Sequence, residues 1–251
     1  MNQTADTDRA AGTVDPAEIE RFQAMAETWW DPDGPMKPLH QLMPARLRFL
    51  RQAILDHTAR TGDGARPLEG LRILDIGCGG GLVSEPLTRL GASVTGVDAA
   101  EKNIAAARAH AGAGGLRIDY RHGTAEDLAD TGAQYDVVLA LEIVEHVADL
   151  GQFVEALARL VRPGGLVVFS TLNRTPKAWA LAIAGAEYVM RWLPRGTHTY
   201  AKFVKPSELA ARCRGAGLRV TGLTGLVFSP LAGWSLSRTD LDVNYFATAV
   251  R

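Results

Sequence analysis

Apolar and polar positions alternate in blocks that predict strands and helices in turn along most of the chain. From residue 71 onward, short apolar runs typical of buried strands are followed by segments with apolar residues at helical spacing. The predicted strands span residues 72–76, 93–97, 116–121, 135–141, 166–171, 218–226 and 244–250, and the predicted helices span residues 82–90, 101–111, 150–161 and 206–215. This order predicts an α/β protein with a doubly wound, mostly parallel sheet. We expect the last two strands to pair as an antiparallel edge.

Two further helices are predicted ahead of the first strand. One begins at Pro16, behind Asp15 as its N-cap, and the second begins near Pro44. Residues 15–60 therefore form a predicted helical cap, which either packs on the sheet or closes over its ligand. The polar residues 1–14 are predicted to be a disordered tail.

Composition narrows the class of protein. With 251 residues and 47% apolar content, the chain is long enough for a single domain over residues 15–251. The net charge of -1 gives no field that attracts nucleic acid, so we expect no nucleic-acid partner. The two cysteines, Cys78 and Cys213, fit a reducing compartment. No signal-peptide core is visible and no run approaches roughly 18 apolar residues, so we expect a cytoplasmic protein.

A glycine-rich turn follows the first strand of the sheet. It reads Asp75-x-Gly77-x-Gly79-Gly-Gly, and Leu82 stands where a dinucleotide-binding fingerprint needs glycine or alanine. Glycines at such a turn let the backbone approach a ligand, where a Cβ would clash. The alternative is a tight connection from strand to helix with no ligand. The segment resembles the first motif of S-adenosylmethionine-dependent methyltransferases.

Two acidic positions further along support a ligand of this kind. Asp98 ends the second strand, where its carboxylate can accept hydrogen bonds from both ribose hydroxyls of an adenosine group. Ala125 and Glu126 follow the third strand and are candidates for contacting the adenine ring. For Glu126 the alternative is a surface position at the start of a helix, where acidic residues are common.

The fourth strand is followed by two carboxylates and an imidazole. If the chain turns helical here, Glu142, Glu145 and His146 lie at i, i+3 and i+4 on one face. This set could hold a divalent ion or act as a general base beside a methyl donor. A purely structural role is the alternative.

Residues 174–204 are too long for an ordinary connection and form a predicted insertion over the acceptor side of the pocket. Its aromatic residues, which include Trp179, Tyr188 and Trp192, are interleaved with basic residues. This composition suits a helix at a membrane interface, and it equally suits a substrate lid packed on its own protein. Both interpretations, the membrane-interface helix and the substrate lid, indicate an apolar acceptor.

Several short segments together identify a family. They are Trp29-Trp30-Asp31, Lys37-Pro38-Leu39-His40, Pro44-x-Arg46, Glu142-x-x-Glu145-His146, Ser170-Thr171-Leu172-Asn173-Arg174, Gly185-Ala186-Glu187-Tyr188, Gly196-Thr197-His198 and Asp242-Val243-Asn244-Tyr245. Over nearly the whole length from Phe22 onward, the chain resembles the ubiquinone-biosynthesis O-methyltransferases.

This resemblance implies a fold, a reaction and a set of site residues. The implied fold is the class I methyltransferase fold, with seven strands and an antiparallel last strand. The implied reaction is methylation of catechol-type hydroxyls on polyprenylated catechol or quinol substrates at two steps, 2-polyprenyl-6-hydroxyphenol to its methoxy product and 3-demethylubiquinol to ubiquinol. The implied S-adenosylmethionine contacts are Arg46, Gly77, Asp98 and Leu141, and the implied ligands of a divalent ion, magnesium, are Glu142, Glu145 and His146. Arg46 would neutralise the donor's carboxylate, with a solvated helix position as the alternative.

Membrane contact through residues 174–204, on the inner face of the membrane, and a complex with other ubiquinone enzymes are further expectations. Two positions depart from the family pattern, Met43 where asparagine is expected and Thr199 where an acidic residue is expected. The first is predicted to alter helix capping near Arg46. The second argues against binding of the acceptor by the loop that contains Gly196-Thr197-His198. Two other functions stay open: methylation of another aromatic acceptor, and a non-catalytic scaffold that binds S-adenosylmethionine.

Overall fold

The computed structural model describes Thr13, residues 15–181 and residues 200–251. Most of the predicted tail at residues 1–14 lies outside these ranges. So does the middle of the predicted insertion, residues 182–199, with Tyr188, Trp192 and Thr199.

The described strands form one mixed sheet. They are β1 (Arg72–Ile76), β2 (Ser93–Asp98), β3 (Asp119–His122), β4 (Tyr135–Leu141), β5 (Val161–Leu172), β6 (Arg219–Ser229), β7 (Gly233–Ser237) and β8 (Asn244–Val250). Their order is β3-β2-β1-β4-β5-β8-β6-β7. Strands β1 to β5 pair in parallel, and β8 lies antiparallel between β5 and β6. The predicted α/β class, the doubly wound sheet and its antiparallel edge are confirmed.

The expectation of seven strands is wrong by one, because the described sheet has eight. The additional strand, β7, pairs with β6 as an antiparallel hairpin in which Phe228 lies opposite Trp234. The hairpin turns at Gly233, whose φ of +69° is accessible to glycine. Residues 233–237 alternate in polarity over only five positions, which is too short a pattern to stand out in the sequence.

Helices cover both faces of the sheet. They are α1 (Pro16–Ala24), α2 (Lys37–His57), α3 (Ser84–Arg89), α4 (Glu101–Ala113), α5 (Ala125–Asp130), α6 (Leu150–Leu160), a single turn α7 (Pro176–Ala178) and α8 (Pro206–Gly215). The N-cap predicted for the first helix is present, since Asp15 accepts a hydrogen bond from the backbone N–H of Ala17 over 3.1 Å. Two large apolar clusters, one on each face, bury the strands between the helices.

The second helix begins earlier than predicted, at Lys37 rather than near Pro44. Pro38 lies in its first turn, where a missing backbone N–H costs nothing, and Pro44 lies within the helix. Met43 is also internal to α2, so its departure from the family pattern does not affect a helix cap. The longer helix brings Leu39 and Leu42 beside the sheet, and it extends one wall of the site described next.

Candidate active site

A cavity of about 620 Å³ opens at the carboxyl ends of the parallel strands. Pockets that bind cofactors and small substrates have volumes of roughly 300 to 1,000 Å³. All the predicted site residues line it: Arg46, Asp75, Gly77, Gly79, Asp98, Ala125, Glu126, Leu141, Glu142, Glu145 and His146. The predicted convergence of strand ends is therefore present in the fold, in the position where open α/β sheets bind their ligands.

The glycine-rich turn is held by backbone hydrogen bonds to the neighbouring strand. The N–H of Gly77 donates to the carbonyl of Val97 over 2.8 Å, and the N–H of Gly79 donates to Asp98 Oδ2 over 2.8 Å. Gly77 and Gly79 have φ values of +71° and +53°, which residues other than glycine rarely adopt. The turn and the acidic end of β2 thus form one rigid unit.

The same glycines also make room for the N-terminal cap. A Cβ on Gly79 would lie 2.3 Å from Cη2 of Trp29, and one on Gly80 would lie 2.4 Å from its Cβ. Trp30 donates its indole N–H to the carbonyl of Gly80 over 2.9 Å. The sequence pattern predicted a role for the glycines in binding a ligand or in a tight connection from strand to helix, and the structure shows that the cap packs against them as well.

Asn103 connects Asp98 to this cap. Its amide nitrogen donates to Asp98 Oδ1 over 3.2 Å, and its amide oxygen accepts the indole N–H of Trp29 over 2.9 Å. The backbone N–H of Ala100 also donates to Asp98 Oδ1. Burial raises the pKa of Asp98, although these donors act in the opposite direction. Asp98 is fixed in orientation by three elements, which suits a group that binds a ribose.

Asp75 lies at the end of β1 and is buried, with 3% of its surface exposed. Its Oδ2 accepts a hydrogen bond from the hydroxyl of Ser84 over 2.7 Å. Burial raises the pKa of Asp75 to about 6, while Ser84 and the nearby Arg46 act to lower it. The carboxylate is therefore costly to ionise inside the protein, and a cationic ligand in the cavity would offset that cost.

Glu126 lies at the start of α5, where it faces the N-terminal segment. The hydroxyl of Thr13 donates to Glu126 Oε1 over 2.7 Å, while Oε2 is buried without a partner among the described atoms. The backbone carbonyl of Thr13 also accepts the backbone N–H of Ala148 over 2.6 Å. Glu126 is thus a lining residue of the cavity, as its predicted adenine contact requires, and that contact stays a prediction.

The chain after β4 forms a turn, so the condition for Glu142, Glu145 and His146 to share one helical face is not met. Glu142 has a φ of +52°, which is incompatible with a helix. Its Oε1 accepts hydrogen bonds from Arg46 Nη2 over 3.1 Å and from the hydroxyl of Ser170 over 2.8 Å. The backbone N–H of Glu142 donates to the carbonyl of Ser170, which extends the pairing of β4 with β5 instead of starting a helix.

Glu145 is buried, with 3% of its surface exposed. Its Oε2 accepts the hydroxyl of Thr171 over 2.8 Å, and its Oε1 has no partner among the described atoms. Burial, together with the negative charge of Glu142, raises the pKa of Glu145 well above the ordinary range of a glutamate. Glu145 thus favours its protonated form beside Glu142.

His146 faces the first helix of the cap. Its Nδ1 lies 3.2 Å from Glu18 Oε2, and the ring of Phe22 packs edge-on against the imidazole at a centroid distance of 5.3 Å. Burial opposes ionisation of Glu18, but His146, Arg21 and Lys202 outweigh it and lower the pKa of Glu18 to about 2. The imidazole therefore lies between a carboxylate and an aromatic ring of α1.

The predicted ligand set for magnesium is not brought together. Across Thr13, residues 15–181 and residues 200–251, no three histidine, cysteine or acidic side chains lie where they could share a metal ion. Glu142 is occupied by the cation of Arg46, and His146 Nδ1 faces Glu18. The unpartnered Oε1 of Glu145 is one free ligand atom, which alone is not a site.

Several residues that shape the site were not predicted as site residues from the sequence. They are Thr13, Glu18, Ser84, Asn103, Ser170 and Thr171. Asn103 lies in the first turn of the helix after Asp98, and an asparagine this soon after a strand's acidic end is a weak signal of its role. Ser84 lies nine residues after its partner Asp75, in the helix that follows β1, whereas the others lie on elements remote in sequence from their partners, so no local pattern identifies those.

Residues at both ends of the predicted insertion are described. Trp179 and Leu181 are 50% and 51% exposed, and Leu181 lines the cavity. Within the described ranges, no helix combines the length and apolar character that crossing a bilayer requires.

Comparison with known families places the chain among methyltransferases. A family model described as a methyltransferase domain matches residues 46–223. The chain is 56% identical to the ubiquinone biosynthesis O-methyltransferase of Azorhizobium caulinodans, over 94% of each chain. It is 54% identical to the ubiquinone biosynthesis O-methyltransferase of Cereibacter sphaeroides, over 96% of this chain and 98% of that one.

Solved structures share the fold at lower sequence identity. Magnesium protoporphyrin IX methyltransferase from Synechocystis PCC 6803, with bound S-adenosylhomocysteine, superposes with a TM-score of 0.61 at 22% identity, covering 94% of this chain and 95% of that one. A possible histamine N-methyltransferase from Thermotoga maritima superposes with a TM-score of 0.61 at 18% identity, covering 93% and 98%. At these identities the likeness establishes the fold alone.

Proposed function

The chain belongs to the ubiquinone biosynthesis O-methyltransferase family, and from this premise we propose that it methylates catechol-type hydroxyls of polyprenylated ubiquinone precursors. The two reactions are conversion of 2-polyprenyl-6-hydroxyphenol to its methoxy product and conversion of 3-demethylubiquinol to ubiquinol. The methyl donor is S-adenosylmethionine.

One structural observation supports the proposal independently of membership of the family. A single cavity joins the glycine turn and Asp98 to Glu142, Glu145 and His146. The first group suits the donor and the second suits a polar acceptor, so one cavity presents both substrates to each other. Positioning of this kind can contribute roughly 7 to 11 kcal/mol to a reaction between two bound molecules.

The donor supplies a methyl group on a sulfonium, and the C–O bond to the acceptor forms as the C–S bond breaks, leaving S-adenosylhomocysteine. We assign ribose binding to Asp98, close backbone approach to Gly77 and Gly79, and charge complementarity for the sulfonium to Asp75. Arg46 and Leu141 line the same cavity, where they would contact the donor's amino-acid part and adenosine.

The hydroxyl proton of the acceptor needs a base. We assign the role of base to His146, whose Nδ1 faces Glu18 Oε2 at 3.2 Å, so that Nε2 is the ring nitrogen left for the acceptor. Glu145, with its raised pKa, is the second proton-carrying group of the cluster. A catechol with a pKa near 10 costs about 4 kcal/mol to ionise at neutral pH, so removal of this proton lowers a real barrier.

The magnesium ion implied by the resemblance does not fit the side chains as they are arranged. The Arg46 guanidinium holds Glu142 Oε1, and the described side chains of the three predicted ligands do not converge on a shared metal position. We therefore derive no step through a metal. Calorimetric titration of magnesium into the chain and into Glu142→Gln measures this directly, since binding lost in the variant would support the metal.

The decisive experiment uses donor with a labelled methyl group and two acceptors, a prenylated catechol and the same ring without adjacent hydroxyls. We expect the catechol product alone to gain one labelled methyl group on oxygen. Methylation of ring carbon would indicate a different acceptor class. Binding of S-adenosylhomocysteine without turnover of either acceptor would indicate a scaffold instead.

We also propose that the region over residues 174–204 contacts the membrane surface that contains the prenylated acceptor. Exposure of Trp179 and Leu181 supports this contact. Liposome flotation of Trp179→Ser with Leu181→Ser should show reduced binding, and unchanged binding would remove the proposal. Assembly with other ubiquinone enzymes stays a prediction.

A further inference from the structure

The β6–β7 hairpin supplies a wall of the cavity that the seven-stranded expectation did not include. Residues of this hairpin face the first turns of α2 across one end of the cavity, which we call the hairpin groove. The groove is lined by Leu39, Leu42, Leu226, Val227, Phe228 and Trp234. All six side chains are apolar or aromatic.

The hairpin groove is built into the fold. Leu226 and Leu42 are buried in the same apolar cluster, with Leu39 and Trp234 packed against it. Phe228 and Trp234 pair across the hairpin with ring centroids 5.3 Å apart. At the base of the hairpin, a Cβ on Gly225 would lie 1.7 Å from the carbonyl oxygen of Asp240, so the following loop crosses directly over β6.

Charge is distributed unevenly along the cavity. The charged residues assigned to methyl transfer, such as Asp98 and Glu142, lie at the ends of β2 and β4, whereas the lining contributed by the hairpin up to Pro230 carries no charge. Lys177 and Asp240 also line the cavity, but they form an ion pair with each other at 2.9 Å. The cavity thus has a polar end and an apolar end.

The apolar end leads to exposed apolar residues. Pro230 lines the cavity, and the next residue, Leu231, is 100% exposed at the tip of the hairpin. Leu181, which also lines the cavity, is 51% exposed. An extended apolar molecule in the groove would therefore keep apolar contacts as it leaves the protein, whereas a compact aromatic ring needs no such path.

We propose that the hairpin groove binds the isoprenoid chain of the acceptor, so that the catechol ring is presented to the polar end. This inference rests on the proposed function and names the surface that selects for a prenylated acceptor. Phe228 and Trp234 are then specificity-determining residues, and the β6–β7 hairpin is the element that distinguishes this cavity from one built by seven strands.

The test compares a farnesylated catechol with the same ring lacking the chain, and measures kcat/KM for each. Phe228→Ala and Trp234→Ala each remove part of the wall, since these two rings pair on the same face of the hairpin, and Leu223→Ala is the control. Leu223 lies on the same strand, is 38% exposed and is outside the residues that line the cavity. Calorimetry with S-adenosylhomocysteine and far-ultraviolet circular dichroism check that each variant is folded.

We expect the ratio of kcat/KM for the farnesylated over the chain-free acceptor to fall by about tenfold in both groove variants, as for loss of one good apolar contact surface. The control should keep the parent ratio. A ratio unchanged in both folded groove variants would overturn the inference. An equal fall in kcat/KM for both acceptors is one form of this outcome. If the parent chain binds S-adenosylhomocysteine and methylates neither acceptor, the proposed function fails instead.

Discussion

Arg46 and Glu142 form an ion pair inside the cavity, with Nη2 of the arginine donating to Oε1 of the glutamate over 3.1 Å. The pair joins α2 of the cap to the end of β4, and the arginine is 4% exposed. Burial, and after it the charge of Glu142, raises the pKa of Glu145. The positive charge of Arg46 thus offsets part of the negative charge of Glu142 and Glu145, and its side chain connects the cap to the sheet.

Replacing this guanidinium should destabilise the fold. Arg46→Met leaves Glu142 beside Glu145 without a cation, and breaking a buried pair in this way costs about 3 kcal/mol. Urea unfolding at neutral pH measures the loss. Glu142→Gln should cost less, because the amide oxygen of the introduced glutamine still accepts the hydroxyl of Ser170, and the double variant should recover part of the Arg46→Met loss. Strict additivity of the two changes would contradict an interaction between them.

Loss of Asn103 should weaken donor binding. Asn103→Ala removes the amide that orients Asp98 and the acceptor for the Trp29 indole, so we expect affinity for S-adenosylhomocysteine to fall by about tenfold. Lys102→Ala, an exposed neighbour on the same helix, is the matched control. Calorimetry checks both variants, and equal affinities would show that Asp98 is oriented adequately by backbone donors alone.

Much of the fold follows from local patterns. The bounds of α8, Pro206–Gly215, and of β8, Asn244–Val250, agree with the sequence prediction because a proline, a glycine and an apolar run mark them. The start of α2 does not, because two prolines compete for the first turn and tertiary contacts of Leu39 and Leu42 decide between them.

The candidate site was likewise predicted only in part from the sequence. Residues at strand ends, such as Asp75 and Asp98, were predicted because parallel strands bring their carboxyl ends to one edge. Contacts from the cap were not predicted, because they join segments that are distant in sequence. Examples are the contacts of Trp29 with Gly79 and of Glu18 with His146. No spacing rule relates such positions, so only the folded chain shows them.

Trp29 and Gly79 should therefore behave as an interacting pair. Gly79→Ala meets two penalties, a φ of +53° and a Cβ placed 2.3 Å from the indole. We expect the single variant to lose about 2 to 3 kcal/mol of stability. In a Trp29→Ala background only the backbone penalty is left, so the added cost should fall to about 1 kcal/mol. Urea unfolding of the four proteins measures this, and an undiminished cost would place the clash elsewhere.

Stability should depend on pH through Asp75. Burial raises its pKa from 3.8 in the unfolded chain to about 6, so the folded protein holds this proton more tightly. The contribution of Asp75 to stability is therefore full below about pH 4 and is lost as the pH rises through about 6. For a rise of this size, the loss amounts to about 3 kcal/mol.

Asp75→Asn isolates this effect, because asparagine stays neutral at every pH and its amide oxygen can still accept the hydroxyl of Ser84. Apart from Asp98 and Arg46, whose charges interact with Asp75, the titrating groups behave alike in both proteins, so the difference between their unfolding free energies reports Asp75 and its coupling to these two neighbours. From about pH 4 to pH 7 the variant should gain up to about 3 kcal/mol relative to the parent. Urea unfolding across this range measures the difference, and parallel curves would mean that Arg46 keeps Asp75 ionised throughout.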